Sequence, residues 1–235
     1  MGFKRFRVLT FDVVGTLIDF ERGIIDQVHR SAGPAADGLE DEAILEVYRR
    51  SRASGDKTGR YPDDLARTWQ DLVNAFSLPD TPGDARALVD SVAHWPAFPD
   101  SVEALARLRR HFTLVAMTNA RHWALDHMAR TLGQPFDDRI CVDDVGLEKP
   151  DPQFFAFARG RLSTRGVAFE EILHVAQSQY HDIGVARKLG HQVAWIERRH
   201  GQKGPGGTLD SDYTEPHYHF TSLAELADAV EAEHQ

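Results

Sequence analysis

The spacing of hydrophobic positions changes near residue 20 of the chain. Residues 8–11 form a short apolar run that ends at Asp12, which is typical of a buried strand with a loop at its carboxyl end. From about residue 20 to 95, apolar positions such as Leu65 and Trp69 recur at helical spacing. The sequence therefore predicts a strand followed by an all-helical insertion.

Beyond residue 97 the pattern alternates between strands and helices. Asp100 is predicted to cap a helix, with Glu103 placed to bond back to the cap. Strands are expected at residues 112–118, 139–142, 172–176 and 192–197, and helices at residues 123–132, 152–162, 182–189 and 223–233. Such alternation predicts an α/β doubly wound parallel sheet with helices on both faces. We expect residues 1–19 and 97–235 to form this core and residues 20–96 to form a helical cap.

The glycine-rich segments are predicted to be loops. Residues 55–59 and 78–83 interrupt the helical insertion, and both are rich in glycine, proline or aspartate. Residues 201–207 follow no phosphate-loop pattern, so we interpret them as a surface connection.

Composition and charge narrow the function. The chain has 235 residues, 42% hydrophobic and 27% charged, as in ordinary globular proteins. Cys141 is the single cysteine, so no intrachain disulfide forms, which fits a reducing cytoplasm. No apolar run approaches the ~20 residues that span a bilayer. A formal charge of −9 disfavours nucleic acid and anionic membranes as partners, while a small anionic substrate stays compatible with local arginines and lysines.

Polar residues follow four of the predicted strands or lie in the loops beyond them. They are Asp12 and Thr16, Thr118 and Asn119, Lys149, and residues 177–182. Ligands of open α/β sheets bind at the carboxyl ends of strands, so we expect these side chains to meet in one site. Each alone has a simpler interpretation as a turn residue, a helix cap or a solvated lysine.

The order of these segments resembles the haloacid dehalogenase superfamily. Residues 11–17, Phe-Asp-Val-Val-Gly-Thr-Leu, resemble its first motif, and residues 116–119, Ala-Met-Thr-Asn, its second. Residues 148–152, Glu-Lys-Pro-Asp-Pro, resemble the third motif, and residues 174–182 a variant fourth. The resemblance covers nearly the whole chain and implies a Rossmann-like core, a helical cap and a hydrolase with Asp12 as its covalent nucleophile.

Two departures from the superfamily's phosphatases indicate another reaction. Those enzymes place a second aspartate, a general acid, where this chain has Val14, which cannot donate a proton. They also place an aspartate where Gln177 stands, and losing carboxylates weakens a Mg²⁺ site. The branch that lacks the second aspartate contains 2-haloacid dehalogenases (type II) and openers of a small epoxide diacid. This chain is similar to that branch, which implies catalysis without a metal or other cofactor.

The resemblance also implies roles for individual residues. Thr16 and Thr118 would hold the carboxylate of Asp12, and Lys149 would lower the pKa of that carboxylate. Asp182 would orient Lys149 or activate water for ester hydrolysis. Asn119 would contact the substrate, and Arg49, with Arg50 as the neighbouring alternative, would clamp a substrate carboxylate. Thr118, Val14, Phe155 and Gln179 are also expected to contact the substrate. Relatives are often homodimers, although no residue in the sequence defines an interface.

Further departures leave the exact activity open. Dehalogenases have Ser-x-Asn before the last aspartate where this chain has Gln177 and Gln179, and epoxide-opening relatives have His at the second position. Those relatives have Tyr where this chain has Phe155, and His181 is a candidate general base or a packing residue. The leading hypothesis is hydrolytic dehalogenation of a small 2-haloalkanoic acid. Alternatives are an epoxide hydrolase acting on a small diacid, a Mg²⁺-dependent phosphatase and a non-catalytic binding protein.

Overall fold

A computed structural model of the chain describes residues 2–54 and 60–235. The loop predicted at residues 55–59 lies outside the described residues. Residues 78–83 form a loop, as predicted. No helix in the described parts of the chain combines the length and apolar character needed to cross a bilayer.

A parallel sheet of six strands forms the centre of the structure, in the order β3-β2-β1-β4-β5-β6. The strands are β1 (Val8–Phe11), β2 (Thr113–Thr118), β3 (Asp138–Cys141), β4 (Ile172–Ala176), β5 (Gln192–Ile196) and β6 (Tyr218–Phe220). The first five were predicted to within a residue or two. The sequence analysis missed β6, because it has three residues, none of them buried, on the outer edge of the sheet.

Helices fill the chain between β1 and β2. They are α1 (Phe20–Ala32), α2 (Asp41–Ala53), α3 (Leu65–Phe76), α4 (Asp84–Ser91) and α5 (Ser101–Leu108). The apolar positions that set the helical spacing of α3, such as Trp69, are buried in the core. The described part of residues 20–94 contains helices and loops but no named strand, as expected of the insertion. The cap boundaries at residues 20 and 96 stay a prediction.

The remaining helices follow the later strands. They are α6 (His122–Thr131), α7 (Val142–Val145), α8 (Pro152–Ser163), α9 (Gly184–Lys188) and α10 (Leu223–His234). The helix predicted at 182–189 is instead a turn of π-helix, Gln179–Ile183, followed by the short α9. The two sheet faces carry separate apolar clusters: Leu9 and Phe11 belong to one, and Val8 belongs to the other. The fold class is confirmed.

The capping role predicted for Asp100 is wrong. Asp100 does precede α5, but its side chain makes no cap hydrogen bond there. Its carboxylate instead accepts hydrogen bonds from Arg198, at 2.8 and 2.9 Å, and from the backbone N–H of Leu223, at 2.7 Å. The side chain thus links α5 to the start of α10, a long-range contact that a local pattern does not reveal.

Candidate active site

Asp12 lies where β1 ends, between the ends of its neighbours β2 and β4. Its backbone N–H still donates to Val175 of β4, at 3.0 Å, so the residue is held by the sheet. The hydroxyl of Thr16 donates to Asp12 Oδ2 at 2.7 Å and accepts from the backbone N–H of Gln177 at 2.9 Å. Thr16 therefore holds the carboxylate as predicted and joins the loops after β1 and β4.

Lys149 lies at the centre of the buried charges, with 1% of its side chain exposed. Its ammonium donates to Asp12 Oδ1 at 2.9 Å, to Asp182 Oδ1 at 2.6 Å and to the carbonyl of Met117 at 2.8 Å. An ammonium has three N–H donors, so these acceptors use all of them. The structure thus brings together Asp12, Thr16, Lys149 and Asp182, the four residues predicted to be catalytic.

Asn119 fixes the backbone of Lys149. Its side-chain amide accepts from the Lys149 N–H at 2.7 Å and donates to the Lys149 carbonyl at 2.9 Å. Thr118 does not hold the Asp12 carboxylate as predicted, because its hydroxyl accepts from the N–H of Ala120 at 3.2 Å, and the hydrogen bonds of Asp12 in the described residues come from Thr16 and Lys149. Both residues line the pocket above Asp12, as expected, but the hydrogen bonds of Asn119 position Lys149.

Burial and charge act against each other in this group. Burial raises the pKa of Asp12, and the attraction of Lys149 lowers it without fully offsetting that effect. Lys149 thus lowers the pKa of Asp12 as predicted, but the larger effect of burial makes the net shift upward, and the sequence did not show that burial. Burial also favours neutral Asp182, but Lys149 and His174 outweigh it and lower the pKa of Asp182 to about 2. Burial would lower the pKa of Lys149, yet the two carboxylates raise it.

A pocket opens over Asp12 between the strand ends and the helical insertion. Its other described lining residues are Val14, Phe20, Tyr48, Arg52, Tyr61, Thr118, Asn119, Ala120, Lys149, Gln177, Ser178, His181, Asp182, Gly207, Thr208 and Leu209. Val14 contributes an apolar wall, as its place beside Asp12 suggested. Burial raises the pKa of both Tyr48 and Tyr61, so their phenols stay neutral near pH 7.

Three residues predicted to bind substrate do not line this pocket. Arg49 donates instead to the carbonyl of Gly206 and pairs with Glu42 at 3.4 Å. Phe155 is 1% exposed and packs behind the site. Gln179 accepts from the N–H of Thr214 at 3.0 Å. These placements correct the prediction, which depended on spacing along the chain and could not show the direction of each side chain.

Arg52 is the pocket arginine, one helical turn beyond Arg49 on α2. Its guanidinium pairs with Asp64 and lies 3.7 Å from Glu148. It also stacks over the ring of Tyr61, at 4.9 Å from the centroid. The sequence analysis missed Arg52 and Tyr61. For Arg52, the run Arg49-Arg50-Ser51-Arg52 could have indicated a pocket arginine, but the rotation of the helix decides which arginine faces the site.

The glycine-rich segment is exposed at residues 201–205, as expected of a surface connection, but its end at Gly207 enters the site, which was not predicted. Gly207, Thr208 and Leu209 line the pocket. The hydroxyl of Thr208 accepts from Gln177 Nε2 at 2.7 Å. A Cβ on Gly207 would lie 2.6 Å from the ring of Phe20, so glycine permits this close approach.

His181 lies on the pocket wall in the π-helical turn. Ser178 Oγ accepts from the backbone N–H of His181 at 2.9 Å and lies 3.2 Å from its Nδ1. Burial lowers the pKa of His181 to about 4, although the nearby Asp182 acts in the opposite direction. The imidazole is therefore neutral at pH 7, and the pocket cations among the described residues are Lys149 and Arg52.

A carboxylate held by a lysine at the end of the first strand, beneath helices inserted after that strand, forms the candidate active site of an α/β enzyme. Residues 6–190 match the family model described as haloacid dehalogenase-like hydrolase. The chain belongs to this family of hydrolases, as the sequence analysis predicted.

Individual relatives give the comparison more detail. The chain is 30% identical to (S)-2-haloacid dehalogenase 1 of Pseudomonas sp. (strain CBS-3), over 82% of this chain and 85% of that protein. It is 27% identical to an Escherichia coli (strain K12) 5-amino-6-(5-phospho-D-ribitylamino)uracil phosphatase, over 96% and 97% of the two chains. Its fold is similar to that of L-2-haloacid dehalogenase from Xanthobacter autotrophicus with chloropropionic acid covalently bound, with a TM-score of 0.74, 22% identity and coverage of 96% and 98%.

Proposed function

We propose that this enzyme hydrolyses the carbon–halogen bond of a small 2-haloalkanoic acid through an ester on Asp12, without a metal ion. The observation that carries the proposal is the arrangement around the nucleophile. Thr16 and Lys149 each bind one oxygen of Asp12, and the apolar Val14 stands on the pocket wall in place of a general acid. A halide departs as an anion and needs no proton, whereas an alkoxide does.

In the first step, a carboxylate oxygen of Asp12 attacks carbon 2 of the substrate opposite the halogen. The new bond is the ester C–O bond, and the C–halogen bond breaks with its electron pair leaving on the halide. The hydrogen bonds from Thr16 and Lys149 hold the carboxylate in one orientation for this attack. Because Lys149 donates all three of its hydrogens to protein acceptors, it acts on Asp12 and not on the substrate carboxylate.

Arg52 is then the cation that would bind the substrate carboxylate. It is the other pocket cation among the described residues, and its side chain is 11% exposed. The rings of Phe20, Tyr48 and Tyr61 line the same pocket. An apolar, aromatic surface beside one arginine suits a short alkyl chain that carries a single carboxylate.

In the second step, water attacks the carbonyl carbon of the Asp12 ester. Asp182 accepts the proton of that water and returns it to the departing alkoxide, so the products are a 2-hydroxy acid and the carboxyl group of Asp12, which ionises. With a pKa of about 2, Asp182 is a weak base, and it holds the proton only until the more basic alkoxide takes it. One oxygen of the solvent water ends in Asp12.

The relatives support this chemistry without fixing the substrate. The Pseudomonas protein is named as an (S)-2-haloacid dehalogenase, and the Xanthobacter enzyme holds chloropropionic acid covalently. The match to a phosphatase shows that membership of the family alone does not define the reaction. In this chain Asp12 and Asp182 are the carboxylates that line the described pocket, and Lys149 lies between them, which does not favour a divalent cation there.

Single-turnover labelling tests the proposal. The enzyme in excess is mixed with (S)-2-chloropropionate in ¹⁸O-water with EDTA present, and chloride release and the mass of the Asp12 peptide are measured. We expect stoichiometric chloride, an ester trapped by rapid acid quench, and one ¹⁸O in Asp12 after turnover. Asp12→Asn serves as the control and should release no chloride.

Each alternative function is tested by a change of substrate or of assay. Labelled Asp12 with a small epoxide diacid but no halide release would indicate an epoxide hydrolase. Hydrolysis of an aryl phosphate that EDTA abolishes would indicate a phosphatase. Cellular activity that survives Asp12→Asn would indicate a binding protein, and any of these results would replace the dehalogenase proposal.

A further inference from the structure

A buried polar chain extends from the active site into the sheet. Thr10 of β1 and His174 of β4 are direct neighbours in the strand register, and they are 3% and 0% exposed. Thr10 Oγ1 lies 2.9 Å from His174 Nδ1, and His174 Nε2 lies 3.0 Å from Asp182 Oδ1. The ring of Phe155 packs edge-on against the imidazole at 5.6 Å. Asp182 is thereby connected to a histidine that does not line the substrate pocket.

The charge of Asp182 fixes the direction of its hydrogen bond with His174. The pKa of Asp182 is about 2, so its carboxylate is ionised at neutral pH and only accepts hydrogen bonds. His174 Nε2 therefore carries the hydrogen and donates to Asp182. The other ring nitrogen, Nδ1, has the hydroxyl of Thr10 as its hydrogen-bond partner, at 2.9 Å.

The two oxygens of Asp182 consequently differ. Oδ1 accepts from both Lys149, at 2.6 Å, and His174, at 3.0 Å. Oδ2 is buried and has no hydrogen-bond partner within residues 2–54 and 60–235. Asp182 also lines the pocket. Two donors, Lys149 from the loop before α8 and His174 from β4, fix the plane of the carboxylate and leave one oxygen to accept from water.

We propose that His174 is a positioning residue for the hydrolysis of the Asp12 ester, which rests on the function proposed above. By holding Oδ1, it orients Oδ2 of Asp182 toward the water that attacks the ester carbonyl. Lys149 contacts both carboxylates and serves both steps. Of the two carboxylates, His174 contacts only Asp182, so it serves the second step. Loss of His174 should therefore slow hydrolysis of the ester more than its formation.

His191, which directly precedes β5, offers a matched control. It is also a buried histidine, 6% exposed, and it packs against Phe155 at 5.6 Å, the distance at which His174 packs. Its other ring contact is Phe169, at 4.6 Å. A purely structural effect of losing a histidine beside Phe155 should appear equally in His174→Leu and His191→Leu.

Rapid-quench kinetics with (S)-2-chloropropionate tests the proposal. In His174→Leu we expect a burst of about one chloride per enzyme and accumulation of the Asp12 ester, detected by mass. The following steady-state rate should fall about tenfold to a hundredfold, as loss of a hydrogen bond to a charged group implies. His174→Gln, which can present an N–H near the position of Nε2, should recover most of the rate. His191→Leu should give neither effect.

The outcomes distinguish a failure of this proposal from a failure of the proposed function. If the wild type forms no ester and releases no chloride, the proposed function is wrong. If the wild type reacts through the ester but His174→Leu slows burst and steady state equally, or accumulates no ester, His174 has no positioning role. If His174→Leu fails to fold, Thr10→Val decides the question. This variant removes only the hydrogen-bond partner of His174 Nδ1 and should give a smaller accumulation of ester. No accumulation there would overturn the proposal.

Discussion

Replacing Lys149 by methionine removes the cation between two buried carboxylates. The side chains of Lys149 and Asp182 are each 1% exposed, and that of Asp12 is 9% exposed. Methionine has a similar length and fills most of the same space, so the main change is the loss of charge and of three hydrogen bonds. Asp12 and Asp182 then share a buried site with no compensating cation.

The expected loss of stability is large. Breaking a buried ion pair by removing one partner destabilises a protein by about 3–5 kcal/mol, out of a total of about 5–15 kcal/mol. Without Lys149, burial and mutual repulsion raise the pKa values of both carboxylates above their unfolded values. The destabilisation should therefore be complete at neutral pH and shrink as the pH falls and the folded state takes up protons.

Asp182 has the opposite dependence in the wild type. The pKa of Asp182 is lowered to about 2, from 3.8, so its contribution to stability is present above the unfolded value and is lost as the pH falls through about 2. Urea unfolding at pH 7 and pH 5 measures both proteins. Lys188→Met, in α9 and exposed, is the control and should change stability by less than about 0.5 kcal/mol.

A Lys149→Met protein as stable as the wild type at pH 7 would refute this reasoning, because the carboxylates would then not depend on the cation. So would a deficit that grows as the pH falls from 7 to 5. The Lys149→Met variant that is folded at the lower pH should also form no Asp12 ester. The carboxylate of Asp12 has lost the hydrogen bond from Lys149 and keeps that from Thr16, and its ionised form is less populated.

Three further predictions follow from individual contacts. Arg52→Lys should raise KM for (S)-2-chloropropionate about tenfold by removing a bidentate donor, whereas Arg49→Lys should change KM less than about twofold; equal effects would contradict the pocket assignment. The acid limb of kcat/KM should have an apparent pKa above 3.8, because burial raises the pKa of Asp12 and the attack needs the anion; a limb at or below 3.8 would contradict this. His191 should make wild-type stability fall by up to about 2 kcal/mol between pH 7 and pH 5, because an unfolded histidine binds a proton near pH 6.5 while His191 stays neutral until about pH 3. Urea unfolding of His191→Leu should show a correspondingly flatter pH dependence, and an unchanged slope would refute it.

The sequence predicted the centre of the site well for a geometric reason. Asp12, Thr118 and Gln177 each follow a short buried run, and parallel strands bring their carboxyl ends to one edge of the sheet. Lys149 could be added because its segment lies between two predicted strands and matches a family motif. These predictions needed only the positions of residues along the chain, not the direction in which each side chain points.

The parts that the sequence did not predict depend on packing between distant segments. Arg49 and Arg52 lie on the same helix, and the seating of α2 decides which of them enters the pocket. The contact of Thr10 with His174 depends on the register of β1 against β4, which no local pattern contains. The net pKa direction of Asp12 depends on its complete burial, which outweighs the neighbouring cation.

The loop around Gly206, which borders the pocket beside the strand ends and the inserted helices, is held by the inserted helices. Glu21 of α1 accepts from the N–H of Gly207 at 2.7 Å, and Glu42 of α2 accepts from the N–H of Gly206 at 3.0 Å. Arg199 pairs with both carboxylates, so the loop after β5 and the inserted helices share one set of charges. Burial raises the pKa of Glu21 against the effect of these donors. The space above Asp12 is therefore bounded by a loop whose position depends on the inserted helices, and any movement of those helices away from the sheet must also break these charged contacts and widen the pocket.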